Sequence, residues 1–333
     1  MKKEAKTFIR LPWHGPAYTI RRMAHVPFQR RAYLDLPAIL VLVFLTALWG
    51  LQQVTVKLAV LDGLAPALQA ALRSVGAAIC VAAWIAWREG KPGLAALVAR
   101  PALFPGLGVA VLFAFEFLAL YPGLHLTSAS RGVVFLYSAP FFVALGAHLL
   151  VPGEKLRPIQ AAGMLLAFAG MAAAFAESLL AGGGSLKGDL LCLLGGVLWA
   201  SITLCVRLSP ALAAAPPATL LWLQLAGSAP ILFLFAVAWG ELTPWPGPWP
   251  TIGAVAWSAL LFQTLVIATF SYLVWFRLIL TYPAARIAGF TFLAPVFGIL
   301  AGAILLREQL SWGLLAGVAA IGLGMRMINT RPR

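Results

Sequence analysis

Apolar residues gather into ten long runs along the chain, at 37–61, 66–88, 101–121, 126–150, 156–176, 188–207, 218–239, 251–279, 284–305 and 311–328. Each approaches or exceeds the roughly 20 residues that a helix needs to cross a bilayer core. Between the runs stand charges and turn formers: Asp62-Gly63, Arg88 to Arg100, Pro122-Gly123, Pro152-Gly153-Glu154, Gly182 to Gly184, Ser209 to Pro217, and the Trp/Pro-rich "ELTPWPGPWP". A backbone polar group left unpaired in lipid costs several kcal/mol, so apolar runs punctuated in this way predict helices joined by short loops. The expected fold class is an all-α integral membrane protein with ten transmembrane helices. No break is long enough to hold a soluble domain.

The polar interruptions recur. The stretch "SASRGVVFLYSAP" at 128–140 returns as "AARIAGFTFLAP" at 284–295, which aligns Arg131 with Arg286 and Pro140 with Pro295. After a one-residue slip, Glu154 aligns with Glu308, Gly163 with Gly317 and Gly170 with Gly324. Trp49 and Lys57 stand eight residues apart, as do Trp199 and Arg207. Five runs per copy is an odd number, so the second copy enters the membrane from the other side, giving two inverted five-helix repeats. The expected division is a basic cytoplasmic tail at 1–36, a first repeat at 37–180, a second at 188–328 and a short tail at 329–333.

Composition changes this picture little. With 62% hydrophobic and 10% charged residues, the chain is far from the roughly 25% charged residues of a soluble domain. Charge adds orientation. A net charge of +14 would suit nucleic acid, but the basic residues are unevenly placed. Eighteen fall on the side of the N-terminus, and Lys187 and Arg307 fall on the other. This positive-inside pattern places both termini in the cytoplasm of a bacterial-type inner membrane and removes the case for a nucleic-acid partner. The tail lacks an apolar signal segment, and Met23, opening "MAHVPFQRRAYLDLP", is a second candidate start. Cys80, Cys192 and Cys205 lie inside runs without paired spacing or a nearby histidine, so neither a metal nor a cofactor is expected.

Several stretches carry a family resemblance: "TALWGLQQVTVKLA", "ALRSVGAAI", "APFFVALGAHLLVPGEKLRPIQAAGMLLAFAGM" and "APVFGILAGAILLREQLSWGLLAGVAAIGLGM". They resemble the two EamA-type repeats of the drug/metabolite transporter superfamily over roughly 37–328. The resemblance implies a ten-helix secondary transporter with cytoplasmic termini, often exporting amino acids or related metabolites and sometimes importing sugars. The halves differ where the first has Trp49-Gly50 and Leu72-Arg73 and the second has Trp199-Ala200 and Leu223-Gln224, so unequal contributions are expected.

The residues themselves point to candidates for solute contact. An arginine at mid-membrane costs about 2.5–3.5 kcal/mol on insertion scales, so each needs a partner, a cavity or an escape to the surface. Arg131 and Glu116 lie at similar depths beside a short turn and are expected to meet as an ion pair. With Arg73 they would form a partly neutralised positive pocket for a carboxylate-bearing solute. The bland alternative is a salt bridge that locks two helices. Arg286 sits near the inner end, where it can contact solute or snorkel. Glu116 is also a candidate for a coupling proton, because a lone intramembrane carboxylate is a usual seat for one. Thr46, Trp49, Gln53 and Lys57 make a polar stripe at helical spacing, and Tyr137, Trp199, Tyr272 and Trp275 are aromatics that could line a cavity beside it. Pro140 and Pro295 free carbonyls four residues back and are candidate hinges. Glu154 and Glu308 suit the N-termini of the helices that follow them. Small-residue pairs at Gly298 and Gly302 and at Gly313 and Gly317 favour close helix contact without fixing an oligomeric state.

A membrane enzyme is disfavoured, because His14, His25, His125 and His148 are scattered and no run carries a nucleophile–base pair or metal set. A lipid or lipid-linked carrier flippase and sugar uptake are the alternatives on the same fold. The topology has a direct check. A periplasmic phosphatase fused after Asp62 should be active and a fluorescent protein fused after Arg333 should fluoresce; the opposite pattern would overturn the orientation.

Overall fold

The computed structural model describes residues 31–127, 129–180, 185–243, 249–306 and 312–330. The described residues are helical throughout, with connecting turns and no strands. Among the described residues, eight helical segments are long and apolar enough to cross a membrane, and two further apolar helices are shorter. The chain runs through α1 (Leu36–Leu61), α2 (Pro66–Leu97), α3 (Arg100–Leu126), α4 (Ala129–Leu136), α5 (Ala139–Leu150), α6 (Pro158–Ala174) and α7 (Ala176–Leu180). It continues through α8 (Leu186–Leu208), α9 (Pro210–Ala213), α10 (Pro217–Ala238), α11 (Ala254–Phe262), a π-helix at Gln263–Ser271, and α12 (Tyr272–Thr281). The last helices are α13 (Ala284–Phe290), α14 (Leu293–Leu306) and α15 (Trp312–Ile328).

Local chemistry sets the helix starts. Asp35 accepts a hydrogen bond from the Ala38 N–H at 3.0 Å, and Pro37 stands in the first turn of α1, where its missing N–H costs nothing. Proline likewise opens α2, α3, α5, α6 and α10. The run expected to stop at Arg88 continues to Leu97, with a kink at Gly90, whose φ of 65° favours a residue without Cβ.

Contacts between loops define two faces of the bundle. At the face where α1 begins and α15 ends, the Arg31 N–H donates to the Thr281 carbonyl at 2.8 Å and Gln160 donates to that of Ile328 at 3.0 Å. This is the terminal face. At the opposite face, Asp62 accepts from the Ala256 N–H at 2.8 Å, and Glu241 accepts from the N–H groups of Ala67 and Leu68 at 3.2 and 2.6 Å. These carboxylates close the N-termini of α11 and α2, whose first N–H groups have no partner within the helix. Glu154 departs from expectation: it accepts from the Ala284 N–H at 2.8 Å and so caps α13, far along the chain, instead of the helix that follows it. Glu308, the Trp/Pro-rich segment at 244–248, Met23 and the charged tail at 1–30 lie outside the described residues.

The two proline positions coincide with helix breaks. One apolar segment is interrupted at Tyr137–Ser138 between α4 and α5, and another at Thr291–Phe292 between α13 and α14. Pro140 and Pro295 cannot donate, so the ladder opens just before each, and nearby hydroxyls help close it. Ser138 donates to the Phe135 carbonyl at 2.6 Å and Thr291 to that of Ala288 at 2.7 Å. Phe292 is fully buried at the second break.

Small residues bring backbones together. A Cβ on Gly50 would lie 2.6 Å from the Gly298 nitrogen, which seats α1 against α14. The 17-residue helices α6 and α15 pack antiparallel: a Cβ on Gly163 would lie 2.6 Å from the Gly324 carbonyl oxygen, and one on Gly170 2.7 Å from that of Gly317. Gly163→Leu should therefore lower stability by about 1–3 kcal/mol, the usual cost of overpacking. Gly108, whose Cβ would meet nothing within 4 Å, is the control. Thermal melting in detergent should show a depressed midpoint for Gly163→Leu and an unchanged one for Gly108→Leu.

Candidate functional site

A cavity of about 180 Å³ lies between α1, α2, α3, α4, α8, α10 and α12. At about 30 Å³ per water, it has room for several waters or a solute of amino-acid size. Its walls reach Val56 and Leu124 toward the opposite face, and Ile202, Thr203, Phe276 and Ile279 form its floor toward the terminal face. Both halves of the chain contribute.

An aromatic cluster makes one wall. Trp49 meets Trp275, Tyr272 and Trp199 edge-on, with ring centroids 5.0, 6.4 and 6.5 Å away, and Tyr137 meets Trp199 at 5.5 Å. Edge-to-face packing of this kind holds rings rigidly while leaving other faces to the cavity. The Trp49 indole N–H donates to the Ser271 hydroxyl at 2.9 Å, which satisfies the one polar atom of a buried ring. Ser271 is the last residue of the π-helix, and the wider turn there continues directly into Tyr272 of α12. Gln53 approaches the Tyr137 hydroxyl and Gln52 that of Tyr272.

Charge is concentrated on the facing wall. Arg73 is 2% exposed, its guanidinium carbon stands 5.1 Å from the centre of the Phe117 ring, and its Nε and Nη2 have no hydrogen-bond partner among the described residues. Glu116 lines the same cavity and feels the Arg73 charge. The Gln224 side-chain oxygen, also buried at the cavity wall, is likewise without a partner among the described residues. Buried donors and acceptors left in this way cost about 1–3 kcal/mol each, more when charged, unless water or a ligand completes them. The arrangement thus offers unfilled donors, a carboxylate and an apolar aromatic surface within one small space.

The EamA-like transporter family model matches residues 36–176 and again 186–330. The chain belongs to the EamA-like transporter family. An uncharacterized transporter of Archaeoglobus fulgidus is 30% identical over 219 residues, covering 65% of this chain and 71% of that protein. One from Synechocystis is 27% identical over 311 residues, covering 86% and 88%. A solved crystal structure of 19% sequence identity shares the fold, with a TM-score of 0.71 over 87% of this chain and 96% of that one.

In this EamA-like chain, the expected site residues separate into two groups. Trp49, Gln53, Arg73, Glu116, Tyr137, Trp199 and Tyr272 all line the cavity. Arg131 and Arg286 do not. The Arg131–Glu116 ion pair is replaced by another: Arg131 makes a two-point contact with Asp189, through Nε at 3.1 Å and through Nη2, and Thr127 donates to the same carboxylate at 2.7 Å. Asp189 sits in the first turn of α8, which packs antiparallel on α3, as the close approaches of Gly188 to Thr127 and of Gly195 to the Glu116 carbonyl record. That packing brings the carboxylate to Arg131 and leaves Glu116 to Arg73. Arg286 neither snorkels nor reaches the cavity; it is 6% exposed at the terminal face, its guanidinium carbon 4.5 Å from the centre of the Tyr33 ring. Asp189 escaped the sequence reading, although an acid in the first turn of an apolar run is a signal. Gln52 and Gln224 were legible only as polar positions in apolar runs.

The Arg131–Asp189 pair should act on stability. Arg131→Met and Asp189→Asn should each lower the melting midpoint, and the double variant should lose less than the sum, with a coupling of about 0.5–3 kcal/mol. Additive losses in that cycle would remove the pair from the stabilising interactions.

Proposed function

We propose that the protein is a secondary transporter that holds a carboxylate-bearing solute of amino-acid size in this cavity and exports it across a bacterial-type inner membrane by alternating access. The observation that carries the reading is Arg73: a buried guanidinium with unfilled donors facing a cavity that also holds Glu116. A carboxylate satisfies such donors in a planar, charge-assisted geometry. An ammonium group on the same solute would lie toward Glu116 and the aromatic faces. In this reading the two copies matched by the family model are two inverted five-helix repeats with ten spans, and the uneven placement of basic residues puts both termini in the cytoplasm. The proline breaks between α4 and α5 and between α13 and α14 are the hinges in this reading. Glu116 is its proton-coupling residue, and the solute's own gradient or that of protons drives transport.

Counterflow into proteoliposomes with a mixed pool of labelled amino acids tests this. The wild type should exchange saturably. Arg73→Gln should lose about tenfold or more, as expected when a charged hydrogen bond of 1.5–3 kcal/mol is removed, whereas Arg131→Ala should retain exchange in whatever fraction stays folded. Glu116→Gln should exchange without responding to a pH gradient. Saturable exchange of sugars, or movement of labelled lipid, in place of amino acids would overturn the carboxylate assignment.

A further inference from the structure

The floor of the cavity rests on a second buried ion pair that has no part in lining it. Glu154 stands in the turn between α5 and α6, and Arg207 in the last turn of α8; their side chains are 8% and 3% exposed and form a salt bridge. The other Glu154 oxygen takes the Ala284 N–H at the start of α13, and Arg207 Nη1 donates to the Ile279 carbonyl at 2.8 Å. One carboxylate and one guanidinium thus join the turn after α5 to the ends of α8 and α12 and the beginning of α13. Ile279 itself forms part of the cavity floor, and Thr203, one helical turn before Arg207, forms another part.

The opposite face has its own ion pair between the halves, Arg131–Asp189, but none of its members or of the Thr127 that joins them lines the cavity, and the Arg131 side chain is one-third exposed. Lys57, the counterpart of Arg207 in the repeat, is exposed and makes no salt bridge among the described residues, and the cavity wall reaches Val56 one residue before it. The cavity floor is therefore tied directly to a buried ion pair through Ile279, whereas among the described residues no salt bridge touches the lining toward the opposite face. Resting on the alternating-access reading above, we infer that Glu154 and Arg207 are a gate latch: their ion pair holds the terminal face shut, and solute reaches that face only when it separates. A buried pair suits this role, because its geometry is all-or-none and each member is costly without the other, which makes two discrete packings in place of a continuum. Glu154 contributes from the first half of the chain and Arg207, Ile279 and Ala284 from the second, so separation moves the halves against each other.

Side-specific labelling tests the latch without any solute. Cys80, Cys192 and Cys205 are replaced, Thr203→Cys is introduced, and sealed vesicles of each orientation are treated with a membrane-impermeant maleimide. With the latch intact, Cys at 203 should react from the opposite face and hardly from the terminal face. Glu154→Gln keeps an acceptor for the Ala284 N–H but loses the charge, and should raise terminal-face labelling about fivefold or more, the range of an ordinary allosteric coupling. Arg207→Gln should do the same, and either variant suffices if the other does not fold. Terminal-face labelling unchanged in a folded variant, or already complete in the unaltered latch, would overturn the inference. A protein that fails amino-acid counterflow still answers this experiment, so the solute reading and the latch fail separately.

Discussion

Backbone hydrogen bonding without water governs this architecture. In hydrocarbon every N–H and C=O must find a partner inside the protein, and a helix is the local way to provide one. Departures are tolerated only where something else fills the gap. The interruptions at Tyr137–Ser138 and Thr291–Phe292 are buried, with hydroxyls of Ser138 and Thr291 taking up nearby carbonyls. The π-helix at Gln263–Ser271 keeps its pairing by reaching five residues back, and the Thr269 hydroxyl follows the same step to the Thr264 carbonyl at 2.7 Å. Two of these irregular places adjoin the cavity: Tyr137 lies at one break, and Tyr272 follows the π-helix.

The same absence of water sorts the buried charges. Arg131 and Arg207 each find an acid on a distant part of the chain, Asp189 and Glu154, and the neighbouring N–H and O–H donors complete those carboxylates. Both pairs connect the first half of the chain to the second. Arg73 differs, with donors unfilled and Glu116 in the shared space. A salt bridge to a distant acid marks Arg131 and Arg207, which join the halves, and distinguishes them from Arg73, which faces the cavity.

Much of this was legible along the chain because the causes are local. Apolar runs of span length, prolines at matched positions and the repeated glycine pattern each act through backbone sterics or hydrogen bonding within a few residues. The helices begin and end close to the expected places, apart from the extension of α2 past Arg88 to Leu97 and of α3 through the expected break at Pro122-Gly123 to Leu126. Seven of the nine residues expected at the site, from Trp49 to Tyr272, line the cavity, since polar or aromatic residues in apolar runs tend to face the bundle interior.

Pairing across the bundle was decided elsewhere. Depth along a helix can be counted from sequence, but rotation about its axis and the identity of its neighbour come from packing, and small residues such as Gly50, Gly163 and Gly188 set how closely helices approach. Arg131 therefore met Asp189 on α8 instead of Glu116, Glu154 capped α13 instead of its own successor, and Arg286 was enclosed against Tyr33. The sequence by itself determined that the chain would be a repeated bundle of apolar helices with costly charges inside it, because the hydrophobic effect and backbone pairing read composition and spacing directly. Only the tertiary structure decided which charges neutralise one another and which face the cavity, because a salt bridge depends on ångström distances between helices remote in sequence.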